Sequence, residues 1–295
     1  MTQALSHPGL PLWRRDDRGW PLATAGVGLV ASGLAHVAAW AALGGPWEGA
    51  VTWRKPILFG ISGGLTALSL GWAWAHLPRR RGDAWLAAAT AAALVAEVAL
   101  IDLQRWRGVA SHFNRATPFD AALYDVMTWL ILGVTLVIGD LTLRFFLQRP
   151  RLSADMLLAA RAGLGLLFAS CLLGVWTGAQ GEIRRAAGLP PETLGAAGVL
   201  KFPHGAALHA VQLLPLVAWA AERAGFSIAA RTRLVAWSTA GSVLLCGYAL
   251  AQTLLGRARF DAPPLTASVL AAAAAMLAVP VAWIAVRLAT RRVPA

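Results

Sequence analysis

The stretch AWLAAATAAALVAEVALIDL, residues 84–103, decides the fold. It holds only two ionisable side chains, Glu97 and Asp102, among residues otherwise apolar or small. About 20 such residues cross the hydrocarbon core of a bilayer. Lipid offers the backbone no hydrogen-bond partners, so the run must be a helix; barrel strands would read as ten-residue alternations. Seven further stretches qualify: 21–43, 56–77, 121–146, 156–177, 202–221, 234–255 and 264–289. The chain therefore reads as all-α, a polytopic transmembrane bundle of eight helices in one domain over 21–290, after a short N-terminal segment, 1–20.

Composition agrees. Of 295 residues, 58% are hydrophobic and 14% charged, where a soluble domain carries about 25% charged. That excludes a soluble enzyme, a disordered tail and a nucleic-acid reader, so no nucleic-acid partner is expected. The +12 charge sits in short clusters between apolar runs, which is a topology pattern. Sixteen basic residues fall on one side of the spans and ten on the other, so both termini are expected in the cytoplasm. The larger set includes Arg14, Arg15, Arg18, Arg149, Arg291 and Arg292. Abundant Ala and Arg, with only two lysines, fit a GC-rich bacterial genome and hence the bacterial cytoplasmic (inner) membrane. Cys171 and Cys246 lie inside apolar runs and make no disulfide framework. No phosphate loop, dinucleotide fingerprint or Cys-x-x-Cys motif is present.

The chain also reads as two tandem four-helix halves, 21–147 and 156–290. Lys55 and Lys201 both stand at the entrance of a span, each followed closely by proline (Pro56, Pro203). Ala31-Ser32-Gly33-Leu34 matches Ala169-Ser170-Cys171-Leu172, and Gln104 with Gly108 matches Gln252 with Gly256. Parallel repeats of this kind recur in transporters.

Ionisable groups inside a span are expensive and point to function. At 1.5 Å per residue, His36 lies roughly 12 Å below the outer end of its span, Glu97 about 9 Å and His209 about 10 Å. Three helices thus place His, Glu and His at one expected level. Two imidazoles and a carboxylate suit zinc or iron. Two histidines on separate helices also suit haem b, with Arg54, Lys55, Arg107 and Lys201 available to its propionates. His204 is a further candidate ligand. It shares no face with His209, since five residues turn a helix by a net 140° or so. Gln212, three residues past His209, does share its face and would orient the ring.

Residues 104–115, QRWRGVASHFNR, form the longest polar segment on the outer side. They run into Thr117-Pro118-Phe119-Asp120, a helix start with Thr as cap and Pro at the first position. The segment is expected to lie as a lid over the buried groups, with His112 as a proton shuttle or ligand; Glu97 and His112 are then the expected catalytic pair. Residues 180–185 are a second outer loop of the same kind. Asp140 with Arg144, and Asp102 with Arg105, are spaced to pair.

Ser32-Gly33-Leu34-Ala35-His36, followed later by two histidines, is similar to the membrane hydrolase superfamily of ceramidases and progestin–adiponectin receptors. Those proteins close their zinc site with a His-x-x-x-His pair. Here the late pair is His-x-x-x-x-His, which turns the second ligand to another face, so the family is not adopted. The reading that remains is an integral membrane protein in the lipid bilayer. Its outward-facing His/Glu site binds a transition metal or haem b and acts on a small lipophilic substrate. The alternatives are a transporter or channel for a small solute and an accessory membrane subunit. The oligomeric state is left open.

Overall fold

The computed structural model describes residues 18–148 and 150–290. Arg14, Arg15, Arg149, Arg291 and Arg292 of the charge count, and residues 1–17 of the N-terminal segment, lie outside the described residues. Eight spans are long and apolar enough to cross a membrane, as an integral multi-pass protein requires. They are α1 (Gly19–Leu43), α2 (Arg54–His76), α3 (Asp83–Trp106), α4 (Pro118–Leu147), α5 (Ala154–Ala186), α6 (Lys201–Leu208) with α7 (Ala210–Arg223), α8 (Ile228–Leu254) and α9 (Pro264–Thr290). A short antiparallel hairpin, β1 (Thr193–Leu194) with β2 (Gly198–Val199), precedes α6.

Four spans outrun their apolar windows by three residues or more, α4 and α8 at their starts and α3 and α5 at their ends. α5 continues to Ala186, so residues 180–185 are its last turns and not a loop. α3 continues to Trp106. The start of α4 is as its sequence implies: the Thr117 hydroxyl accepts from the Asp120 N–H at 3.1 Å, with Pro118 in the first turn.

The chain forms two compact units, one ending at Gly108 with α1 to α3, the other beginning at Val109 with α4 to α9. In the first unit, α1 and α2 pack through glycines. A Cβ on Gly64 would lie 2.6 Å from Gly26 O, one on Gly60 2.8 Å from Gly33 Cα, and one on Gly71 3.0 Å from Gly19 O. Helices in lipid associate by such close backbone contact, because burial of apolar surface gives them no advantage over lipid. Gly63 does not join this seam; its Cβ would meet Val98 of α3 at an ordinary 3.6 Å.

Each unit is fastened at one end by a buried ion pair between its helices. In the first, Arg18 before α1 faces Asp83, the first residue of α3, at 3.7 Å. In the second, Asp155 in the first turn of α5 faces Arg231 in the first turn of α8 at 3.1 Å, and Arg231 also holds Glu222 at 2.7 Å. The expected Asp140–Arg144 pair forms at 3.6 Å. α9 packs on α8 at Gly241, against Ala273, Met276 and Leu277, and is otherwise largely exposed for lipid.

Candidate functional site

In the first unit, Ser32 of α1 donates its hydroxyl to Asp102 Oδ2 of α3 at 3.1 Å. One turn on, the Trp106 indole N–H donates to His36 Nε2 at 3.1 Å, and His36 Nδ1 donates to the Ser32 carbonyl at 2.9 Å. The imidazole is therefore the Nδ1–H tautomer with both nitrogens engaged, buried between Trp53 and Trp106. Sequence reasoning missed Trp106, because a residue at a span end looks like belt material.

This pairing corrects the depth expectation within the unit. Ser32 is level with Asp102 and His36 with Trp106. Glu97 stands nine residues before Trp106, about 13 Å along the axis and well below the His36 ring. Glu97 is 6% exposed, and its Oε2 has no hydrogen-bond partner among the described residues. It lies within about 4 Å of the midpoint of α3.

Asp102 does not pair with Arg105. Its Oδ2 takes the Ser32 hydroxyl, while the Arg105 guanidinium lies 3.9 Å from the Trp53 ring centroid. Of the expected anion-holding groups, Arg54 bonds Glu48 at 2.9 Å and Arg107 donates to Gln104 Oε1. Lys55 is half-buried in the first turn of α2.

The second unit carries the remaining candidates. The lid segment is folded and held. Phe113 takes a left-handed backbone conformation (φ 57°), and its ring covers Gly181 of α5, where a Cβ would come within 2.3 Å of it. Arg115 reaches Asp125 at 2.8 Å and Glu182 at 3.2 Å, and Glu182 also holds Arg185 at 3.0 Å. These carboxylates, Asp125 first, raise the Arg115 pKa above its already high value. His112 lies beside Tyr124 (ring centroids 6.0 Å) with Ser111 Oγ 2.9 Å from its Nδ1. Lys201 holds Glu192 at 2.7 Å.

His204 sits in a fitted place. Its Nδ1 donates to the Ser170 carbonyl at 2.7 Å, and Ser170 Oγ donates back to the His204 carbonyl at 2.8 Å. Gly174, one turn along α5, leaves room for the ring: a Cβ there would lie 3.2 Å from His204 Nδ1. The Nδ1 proton is thus fixed, and the Nε2 lone pair faces away from Ser170.

His209 occupies the one interruption within the spans among the described residues. α6 ends at Leu208 and α7 begins at Ala210, with His209 between them at φ −91°, ψ 6°. Pro215 lies inside α7 and has no N–H for the Val211 carbonyl, while the His209 carbonyl accepts from the N–H groups of Gln212 and Leu213 and so opens α7. His209 lies three residues from the midpoint of the Lys201–Arg223 span, about 5 Å. Its ring is exposed, with Nδ1 3.3 Å from Gln212 Oε1.

α8 runs antiparallel to α6 and α7, with Cys246 Sγ 4.0 Å from Pro203 O. Counting six residues down from that contact puts the level of His209 near residue 240 of α8. Ser238 and Thr239 are there, each with a buried hydroxyl lacking a partner, and Ser242 bonds the Ser238 carbonyl at 2.9 Å. Nothing in the apolar character of α8 marked these hydroxyls beforehand.

Among the described residues, no group of three or more His, Cys, Asp or Glu side chains is placed to hold a metal ion. His36 and Glu97 belong to the first unit, His204 and His209 to the second. No protein-family model matches the chain, and neither the curated proteins nor the solved structures contain a match.

Proposed function

We propose that this multi-pass membrane protein conducts protons through groups inside its spans. The observation that carries the reading is the interrupted span at His209. Broken helices near the midplane are where secondary transporters build their sites, because the break frees backbone groups inside the membrane. An ionisable imidazole at the break, an unpartnered carboxyl at Glu97 and unpaired hydroxyls at Ser238 and Thr239 are the kinds of group a proton path uses. His112 on the segment before α4, and His204, whose Nδ1 alone is engaged by Ser170, are further proton carriers in this proposal. In this proposal both termini lie in the cytoplasm, as the sixteen-to-ten charge count favours, and the membrane is the bacterial inner membrane, as the Ala- and Arg-rich composition favours.

The test is reconstitution into liposomes holding a pH-sensitive dye, with a valinomycin-clamped potassium gradient as driving force. Protein-containing vesicles should acidify faster than empty ones, and His209→Ala or Glu97→Gln should return the rate to that of empty vesicles. Equal dye traces with and without protein would refute the reading.

A second reading is favoured by one observation. His204 donates Nδ1–H to a carbonyl and His209 places Nδ1 against Gln212, and metal-ligating imidazoles are oriented in this way. In that reading His204 and His209 of the second unit ligate a transition metal or haem b that acts on a lipophilic substrate, with Lys201 of the same unit as the basic group for an anionic part of it. Elemental analysis and a Soret band on purified protein decide it; absence of both removes it.

A further inference from the structure

Three helices of the second unit bring polar oxygens to one level inside the spans, and two registers fix that level. The Asp155–Arg231 pair sets α5 beside α8, both running away from the paired end. Eight residues on, about 12 Å, Gly163 is level with Thr239. The Cys246–Pro203 contact sets α8 antiparallel to α6 and α7, and eight residues from it Val211 is level with Ser238. A third observation closes the triangle. A Cβ on Gly163 would lie 2.8 Å from Val211 Cα and 3.1 Å from the Ala210 carbonyl oxygen. So α5 forgoes a side chain where the backbone just past the interruption comes against it.

The oxygens at this level are short of partners. Ser238 is fully buried and Thr239 half-buried, and neither hydroxyl has a hydrogen-bond partner among the described residues. In a helix such a hydroxyl can return its proton to the carbonyl four residues back. Thr142, Ser242 and Thr253 of the same unit do so, at 2.7, 2.9 and 2.9 Å. On α7 the Val211 carbonyl faces Pro215, which has no N–H to give it, and the Gln212 N–H goes to the His209 carbonyl at 3.2 Å. The set is two hydroxyls and the backbone of a broken helix, all neutral oxygen.

Oxygen ligands of this kind suit a hard cation. No Asp or Glu occurs in residues 156–181, 193–221 or 223–260, so no carboxylate of these helices joins the set, which matches one positive charge better than two. Each hydroxyl can place its proton on the carbonyl of Leu234 or Val235 and turn its lone pairs to the ion. Freed carbonyls of broken spans hold coupling sodium ions in transporters. The arginines of α4 and α5 are engaged elsewhere: Arg161 donates to the Phe145 carbonyl at 2.8 Å, and Arg144 faces Asp140.

We infer that Ser238, Thr239 and the backbone at Val211 bind a sodium ion. The inference shares its broken span with the proton path proposed above but needs no proton to pass. Full-length protein in detergent is titrated with radioactive sodium, and its thermal melt is recorded in sodium chloride and in choline chloride. The wild type should bind sodium saturably and melt higher in sodium than in choline. Ser238→Ala should weaken binding about tenfold, and Ser238→Ala/Thr239→Val should abolish both binding and the sodium-dependent shift. In choline both variants should melt no lower than the wild type, because they remove buried hydroxyls that have no partner, so loss of binding is not loss of fold. The control Thr128→Ala removes a hydroxyl already bonded to the Tyr124 carbonyl and should bind as the wild type does. Sodium binding without proton flux in the liposome assay leaves this inference standing and removes the proton reading; flux without saturable sodium binding does the reverse. Sodium binding unchanged in Ser238→Ala/Thr239→Val, or lost equally in Thr128→Ala, overturns the inference.

Discussion

The Ser170 carbonyl accepts the Nδ1 proton of His204 at 2.7 Å while the Ser170 hydroxyl donates to the His204 carbonyl at 2.8 Å. In the first unit the matching Ser32 carbonyl takes Nδ1 of His36, one turn along the same helix. In the second unit that i+4 position is Gly174, and its missing side chain admits the ring of a neighbouring helix instead. The two imidazoles differ in what remains: His36 Nε2 is filled by Trp106, whereas Ser170 leaves His204 Nε2 open.

His36→Ala should therefore leave proton flux near the wild-type rate, whereas His204→Ala should lower it at least tenfold. The liposome assay reads both. Equal loss in the two variants would show that occupancy of Nε2 does not govern the path.

Gly174→Val should cost about 1–3 kcal/mol through overpacking and turn the His204 ring away from Ser170. Thermal unfolding in detergent reads the first effect and flux the second. Ser170→Ala removes only the hydroxyl and should cost about 1 kcal/mol.

The α1–α2 seam makes a sharp contrast between neighbours. A side chain at Gly64 meets backbone at 2.6 Å, so Gly64→Ile should lower stability by about 3 kcal/mol or more; Gly63→Ala, with its nearest atom at 3.6 Å, should be close to neutral. A thermal melt that ranks them equally would refute the seam.

Arg115→Gln should release the segment 109–117 and speed chymotryptic cleavage at Phe113 several-fold. Its raised pKa keeps Arg115 charged up to the arginine range, and the same pair lowers the Asp125 pKa, so this stabilisation is present from above the carboxylate range up to that limit and is lost as Asp125 protonates in acid. Cleavage of the wild type should vary with salt, since the pair is partly exposed, but Arg115 itself should add no pH dependence between about 6 and 9.

Asp83→Asn leaves Arg18 buried without its countercharge and should cost about 3 kcal/mol. The exchanged pair Arg18→Asp/Asp83→Arg should recover part of that loss in the same melt.

The spans were legible because a 20-residue apolar run leaves a chain in lipid one solution. Their ends were less so: α3 and α5 carry on past the apolar window through Arg105 and Arg184, since polar residues continue a helix once it leaves lipid. That extension accounts for about 4.5 Å of the depth of Glu97, and the rest arises because α1 runs seven residues past His36, which is level with the end of α3. The interruption at His209 has no marker in the sequence and needed the backbone itself. Partners such as Trp106 for His36 depend on which helices touch, and no local pattern records that.

The buried fasteners carry opposite polarity: arginine precedes the first helix and aspartate opens the third in one unit, and the second unit reverses them. With α5 in the place of α1, carboxylate would meet carboxylate, and with α8 in the place of α3, guanidinium would meet guanidinium, away from water, where like charges repel most strongly. The reversal thus penalises an exchange of α1 with α5, or of α3 with α8, between two sets of alike, alanine-rich hydrophobic segments.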